Sequence, residues 1–74
     1  MSPLSDTVKS LIADALSVPA ADVTSATGLA TTPAWDSLAH MRLVLALEDR
    51  LGRQLTPNEI ISIASAEDVA ALVR

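Results

Sequence analysis

The chain contains no cysteine, which excludes disulfide bridges and thiolate metal sites. Its 74 residues leave room for one small core, so the fold depends on packing alone. Trp35 is the single aromatic residue, and Leu, Ile, Val and Ala must therefore fill that core. This composition favours packed helices, and we expect residues 1–74 to form one all-α domain.

Positive charge is also scarce, because five Lys and Arg stand against nine Asp and Glu, giving a net charge of -4. An acidic chain repels phosphate backbones and anionic lipids, so nucleic acid is not an expected partner. No segment approaches the ~20 apolar residues of a membrane span, and the first residues lack the pattern of a secretory signal. We therefore expect a monomeric, cytoplasmic protein without membrane contact.

Apolar residues at helical spacing predict two long helices. The first covers residues 4–16. The second covers residues 37–51, which contain neither Gly nor Pro, and it ends at Gly52. Between them lies a long loop rich in Ala, Thr and Ser, for which the sequence offers two apolar anchors, Val23 and Leu29. Because such a loop exceeds the usual length, we expect a helical turn near 20–23 to shorten it.

Two shorter helices follow. Thr56 and Glu59 form a capping-box pattern with Pro57 at the first helical position, which predicts a third helix over 57–63. Ser65 then precedes two acids and predicts a fourth helix over 66–73, with its apolar residues Val69, Leu72 and Val73 facing inward. The predicted fold is a small four-helix bundle in which the first, second and fourth helices surround the core and the short third helix crosses them.

The second helix has an unusually wide apolar surface. One stripe should face the core and contains Leu43, Val44, Leu47 and Leu51. The remaining apolar side chains, Leu38, Met41 and Leu45, lie round the side of the helix. From the spacing alone, these three residues either complete the core or stay exposed for partners.

Trp35-Asp36-Ser37-Leu38 lies where the long loop meets the start of the second helix. Free backbone N–H groups and the helix dipole favour a phosphate at that position. The alternative is that Ser37 or Asp36 merely caps the helix. The dipeptide by itself does not decide between these possibilities.

His40 lies one helical turn after Ser37, and with Asp36 it suggests a hydrolytic triad. We reject this interpretation because Asp36 is placed on the far side of the serine, no G-x-S-x-G elbow is present, and the chain is short for a substrate pocket. His40 is expected to be a solvated surface residue, with a hydrogen bond to a phosphate on Ser37 as the alternative.

The segment Asp36-Ser37-Leu38, followed by the run L-V-L-A-L-E-D-R-L-G over residues 43–52, resembles the acyl carrier protein family. The order of helices and loops extends this resemblance over almost the whole chain. It implies that Ser37 carries a 4′-phosphopantetheine arm, with Asp36, Leu38 and His40 around the attachment point. It also implies that the chain is a carrier and not an enzyme.

The resemblance implies partners as well. A phosphopantetheinyl transferase with Mg²⁺ would load Ser37 from coenzyme A, an acyl- or aminoacyl-activating ligase would charge the arm, and acyl-processing enzymes would use the cargo. These enzymes would dock on the second and third helices, at Met41, Arg42, Leu45, Glu48, Asp49, Ile60 and Ile61.

Arg42 departs from the family pattern, which commonly has an acid there, and it indicates either a dedicated set of partners or drift on a solvated surface. Trp35 occupies a position where fatty-acid carriers more often have a small residue, and it suggests a discrete carrier of a specialised pathway. Trp35 either packs against the base of the second helix or guides the arm or a partner. The rival to a carrier is a protein interaction module with the same fold that is never modified.

Overall fold

The computed structural model describes residues 4–73 and contains four α-helices, with no β-strand in that range. Their bounds are Asp6–Leu16 (α1), Ser37–Leu51 (α2), Pro57–Ser62 (α3) and Ala66–Leu72 (α4). The prediction of a small all-α bundle with a long first loop and a short third helix is confirmed. Each helix begins and ends within two residues of its predicted position, a difference usual for helix termini.

Helix α1 begins two residues later than predicted because Ser5 acts as its N-cap. The Ser5 hydroxyl accepts a hydrogen bond from the backbone N–H of Val8 at 3.2 Å, which satisfies one of the free N–H groups of the first turn. The helix ends at Ser17, whose φ of 57° lies in the left-handed region. Between these ends α1 packs against both α2 and α4 and thereby lies at the centre of the bundle.

The core consists mainly of aliphatic side chains from α1, α2, α4 and the connections between helices, and its largest fully buried members are Ile12, Leu43, Leu47, Ile63, Val8 and Val69. The predicted inner stripe of α2 is confirmed, although Leu51 at its end is half-buried. In α4, Val69 is buried as predicted, while Leu72 and Val73 pack against the core from half-buried positions. The side chains that the helices turn towards the core are therefore those that the helical spacing predicts.

The long loop between α1 and α2 contains the predicted short turn, a 3₁₀ helix at Ala20–Asp22. Of its two predicted anchors, Val23 is buried, but the prediction for Leu29 is wrong because this side chain is 47% exposed. Thr27 and Trp35 are buried in its place. The loop has a second anchor in its backbone, which a search for apolar side chains does not detect.

This backbone anchor is an isolated antiparallel bridge between Gly28 and Ser65, which ties the loop to the linker before α4. The N–H of Leu29 donates to the carbonyl of Ala64 at 2.9 Å, and the N–H of Ala66 donates to the carbonyl of Thr27 at 2.8 Å. Two hydrogen bonds thus hold the middle of the loop against the linker between α3 and α4. A loop of this length is ordered because both its ends and its centre are fixed.

We expect Gly28→Ala to destabilise the fold, because a Cβ at this position would lie 2.6 Å from the carbonyl oxygen of Ala64. The obstacle is backbone and cannot rotate away, so the bridge must shift, at a cost of about 1–3 kcal/mol, as for overpacking. Urea unfolding measures the loss, with Ala30→Ser at an exposed position of the same loop as control. Equal unfolding midpoints for the wild type and Gly28→Ala would show that the bridge adapts at no cost.

Helix α3 is held at its start by polar contacts. The predicted capping box is confirmed: Thr56 Oγ1 accepts from the N–H of Glu59, and Glu59 Oε1 accepts from the N–H of Thr56. The guanidinium of Arg53 donates to both oxygens of the same carboxylate, each at 2.9 Å. The hydrogen bond from Arg53, together with that from the Thr56 backbone, lowers the pKa of Glu59 to about 2. The charge of Arg53 is thus paired within the chain.

The end of α3 differs by one residue from the prediction. Ile63 leaves the helix with φ -74° and ψ 108°, and its side chain enters the core, where it is almost completely buried. No residue within Pro57–Ser62 is itself buried. Helix α3 therefore lies on the surface of the bundle and is attached at both ends.

Candidate functional site

Ser37 is the first residue of α2, and the structure separates its role from that of its neighbour. Asp36 is the N-cap: its Oδ1 accepts from the N–H of Ala39 at 2.8 Å and its carbonyl accepts from the N–H of His40 at 2.9 Å. Ser37 is exposed, and its hydroxyl takes part in no hydrogen bond within the described part of the chain. The capping alternative therefore applies to Asp36 alone, and the hydroxyl of Ser37 is accessible for reaction.

The surroundings of this hydroxyl favour a negatively charged group. Two of the first four N–H groups of α2 are used by Asp36, while those of Ser37 and Leu38 make no hydrogen bond in residues 4–73. Both residues are exposed and lie at the positive end of a 15-residue helix. The partial positive charge at this end of α2 would therefore stabilise a phosphate bonded to Ser37.

His40 is bonded on both sides, so the prediction of a solvated surface histidine is wrong. Its Nδ1 accepts from the indole N–H of Trp35 at 3.1 Å, and its Nε2 lies 3.0 Å from the carbonyl oxygen of Ile60. Trp35 itself is buried, as expected for packing against the base of α2. With both ring nitrogens engaged, His40 has no free nitrogen to accept the proton of Ser37, which agrees with rejecting a hydrolase. For the same reason, a hydrogen bond from His40 to a phosphate would require one of these contacts to break.

An apolar groove of about 600 Å³ lies beside Ser37 and corrects the expectation that so short a chain leaves no room for a pocket. Three segments form it: the loop before α2, the first turns of α2, and α3 with the residue that follows it. Its lining residues are Leu29, Trp35, Asp36, Ser37, His40, Met41, Ile60, Ile61 and Ile63. The misassigned loop residue Leu29 is therefore a wall of this groove and not a core anchor.

The predicted docking residues lie on the surface around this groove, with different degrees of exposure. Met41, Leu45 and Ile61 are exposed apolar side chains, and Leu38 joins them. The charged residues Arg42 and Asp49 are also exposed. Ile60 is half-buried in the groove.

Glu48 differs from the other predicted docking residues. Its side chain is half-buried, and its Oε2 accepts from the N–H of Leu55 at 2.9 Å, so the carboxylate holds the connection between α2 and α3. Of the acids predicted on this face, Asp49 is thus the one with a fully exposed side chain beyond the first turn. The surface predicted for docking therefore exposes fewer acidic side chains than the sequence pattern indicated.

The family model described as a phosphopantetheine attachment site matches residues 6–73, almost the whole described chain. The chain belongs to this family. It is a carrier domain for 4′-phosphopantetheine, as the sequence resemblance implied. No curated relative matches the chain significantly. Within residues 4–73, no helix is long and apolar enough to cross a bilayer.

The residues at the start of α2 fit a phosphopantetheine group. Ser37 offers an accessible hydroxyl, the free N–H groups of Ser37 and Leu38 suit a phosphate, and the groove lies next to Ser37. Sequence reasoning missed the contact that joins Trp35, His40 and Ile60. The five-residue spacing of Trp35 and His40 gave a weak signal for its first half, but a backbone carbonyl twenty residues further on carries no signal in the sequence.

Proposed function

We propose that Ser37 carries the 4′-phosphopantetheine arm and that the protein delivers an acyl or aminoacyl intermediate to partner enzymes without turnover of its own. The observation that supports Ser37 most strongly is the division of roles at the helix start: Asp36 makes the cap, and the Ser37 hydroxyl is exposed and unbonded within the described residues. When bound, the arm supplies a thiol that holds the cargo as a thioester. The cytoplasm remains the predicted location.

Asp36 has a second role in this proposal. Its Oδ1 is committed to the N–H of Ala39, whereas its Oδ2 has no hydrogen bond within residues 4–73. Asp36 is exposed and lines the groove beside Ser37, where a transferase would bring coenzyme A and Mg²⁺. We infer that Asp36 contributes a metal-facing oxygen during loading while it continues to cap α2.

The partners in this proposal are a phosphopantetheinyl transferase, an activating ligase and acyl-processing enzymes. Leu38, Met41, Leu45 and Ile61 are exposed apolar side chains, and Met41 and Ile61 line the groove together with Ser37. Apolar anchors within a charged rim are typical of protein interfaces. A partner that must reach Ser37 would meet this surface first.

The experiment that tests the proposal is loading of the purified protein. After incubation with coenzyme A, Mg²⁺ and a broad-specificity transferase, intact mass should rise by one phosphopantetheinyl group, and peptide mapping should locate it at Ser37. More than one transferase should be tried, with a known carrier as positive control. An unchanged mass with every transferase that loads the control would favour the unmodified interaction module.

Arg42 is expected to influence the choice of partner. It is exposed and makes no ion pair within the described residues, where Arg53 pairs with Glu59. Arg42→Glu should leave the unfolding free energy within about 1 kcal/mol, because exposed charges contribute little to stability. It should raise the rate at which a fatty-acid synthase enzyme that prefers acidic carriers processes the loaded protein, since opposite charges accelerate encounter.

Steady-state kinetics of loaded wild type and Arg42→Glu, at low and moderate salt, measure this effect. Arg50→Glu reverses a charge of the same sign at an exposed position near the far end of α2 and serves as the control. The gain should be larger for Arg42 and should shrink as salt rises. Equal rates for all three proteins at both salt concentrations would show that Arg42 has no part in recognition.

A further inference from the structure

Helix α3 forms one wall of the groove, yet little within it fixes its position. None of its six residues is buried, and the ion pair of Arg53 with Glu59 holds only its start, on the exposed surface. A helix this short is not stable by itself, so its position depends on contacts with its neighbours. Two contacts at its far end therefore decide where the wall lies: the buried side chain of Ile63 just after the helix and a hydrogen bond from α2.

The far end of α3 has carbonyl groups without partners in the helix, as every helix end does. The carbonyl of Glu59 accepts from the hydroxyl of Ser62 at 2.9 Å, a contact within the helix itself. The carbonyl of Ile60 is paired with Nε2 of His40, which belongs to α2. Within residues 4–73, this is the one side-chain hydrogen bond that joins α2 to α3.

The hydrogen bonds of His40 fix its tautomer. An indole N–H can only donate, so Nδ1, which lies 3.1 Å from Trp35 Nε1, must be the unprotonated acceptor. A carbonyl can only accept, so Nε2 carries the proton and donates a hydrogen bond to the carbonyl oxygen of Ile60. The two rings lie with centroids 6.4 Å apart, and Trp35 is buried. Trp35, in the loop, thus orients the ring of His40, and the ring in turn holds α3 by its hydrogen bond to Ile60.

We propose that His40 is a positioning residue: it holds the end of α3 against the first turn of α2, with Trp35 orienting its ring, and so sets the width of the groove beside Ser37. Trp35 and His40 lie on either side of Ser37 in the sequence, so the hydrogen bonds that hold α3 come from residues that flank the proposed attachment point. A transferase or processing enzyme that approaches Ser37 then meets α2 and α3 as a single rigid surface. This consequence for partners rests on the proposed function of Ser37, whereas the positioning of α3 does not.

Two variants of His40 separate positioning from general packing. His40→Leu replaces the imidazole with an apolar side chain of similar size, which offers no hydrogen bond to Trp35 or Ile60. His40→Gln presents one acceptor and one donor at the end of its side chain and should restore both contacts in part. Because a typical hydrogen bond shifts an equilibrium by roughly threefold to tenfold, His40→Leu should speed exchange of the Trp35 indole N–H and the α3 amides by about that factor.

Amide hydrogen exchange followed by NMR on the unmodified protein measures this. Exchange of the α1 core amides, such as that of Ile12, should remain within twofold of wild type, and His40→Gln should lie between the other two proteins. Should His40→Leu fail to fold, Trp35→Phe removes the indole donor and keeps an aromatic ring, and α3 exchange should again rise relative to α1. Wild-type exchange in α3 for these variants, or an equal rise in α1 and α3, overturns the proposal.

The consequence for partners is measured by the kinetics of loading with a transferase. His40→Leu should raise KM for the carrier about threefold to tenfold with kcat nearly unchanged, and His40→Gln should recover most of the loss, because docking is weakened while the Ser37 hydroxyl is untouched. Unchanged KM in His40→Leu overturns the consequence for partners. If wild type itself is not loaded, the proposed function fails, and the exchange experiment still decides the role of His40.

Discussion

Ser37→Ala should remove phosphopantetheinylation completely while leaving the fold intact. The loss should be total because alanine has no hydroxyl to bond to the phosphate. The fold should persist because Asp36, and not Ser37, caps α2, and because Ser37 makes no side-chain hydrogen bond in residues 4–73. Alanine also has the highest helix propensity, so the unfolding free energy should stay within about 0.5 kcal/mol of wild type.

Intact-mass analysis after loading and urea unfolding of the unmodified proteins test both halves of this expectation. Ser62→Ala is the matched control, because Ser62 is an exposed serine on α3, close to the groove, whose hydroxyl donates to the carbonyl of Glu59. It should be loaded like the wild type. A mass increase on Ser37→Ala would place the arm on another residue, and a large loss of stability would mean that Ser37 contributes to the helix start after all.

Asp36→Ala should destabilise the fold, and it should also slow the loading of Ser37, because the proposed metal-facing oxygen of Asp36 is lost. The substitution removes the capping carboxylate that accepts from the N–H of Ala39, and the loss of an N-cap costs about 0.5–2 kcal/mol. The hydroxyl of Ser37 is retained. Comparing the two alanine variants in the same unfolding assay therefore separates the cap from the attachment point, which the sequence left as one Asp-Ser dipeptide.

The helices could be predicted from the sequence because their signals are local. Thr56 and Glu59 specify their capping box within four residues, and the stripe of Leu43, Val44 and Leu47 follows from the helical period. The assignment of the arm to Ser37 stays a prediction, which rests on a helix start combined with a family motif around this residue. In each case the residues that make the contact are close together in the chain.

The parts that the sequence did not predict depend on distant backbone groups. Leu29 was expected in the core because it is apolar, but the loop is fixed there by the backbone bridge from Gly28 to Ser65, which leaves the side chain outside. His40 was expected in solvent because histidine is polar, but the carbonyl of Ile60 lies within reach once α3 is in place. Every residue has the same backbone carbonyl, whatever its side chain, so a sequence pattern cannot indicate which carbonyl will accept a hydrogen bond. Both errors lie at the groove, where the loop and α3 come together around Ser37.

Leu47→Ala is expected to lose about 2–5 kcal/mol of unfolding free energy, whereas Leu45→Ala should lose less than about 1 kcal/mol. The two residues belong to the same helix and undergo the same chemical change. Leu47 is fully buried on the face of α2 that is turned to the core, while Leu45 is 62% exposed. Truncation at Leu47 leaves a cavity among aliphatic side chains, whereas truncation at Leu45 removes surface that water already contacts.

The larger loss is a substantial part of the total stability of a small domain, which is about 5–15 kcal/mol, so Leu47→Ala should be partly unfolded at moderate urea concentrations. Leu45→Ala should unfold close to wild type but should be processed more slowly by partner enzymes, because Leu45 is an exposed apolar side chain on the proposed docking helix. Urea unfolding and the kinetics of the loaded proteins together test the assignment of both faces. Equal losses of stability for the two variants would contradict it, since truncating a buried leucine should lower the unfolding free energy much more than truncating an exposed one.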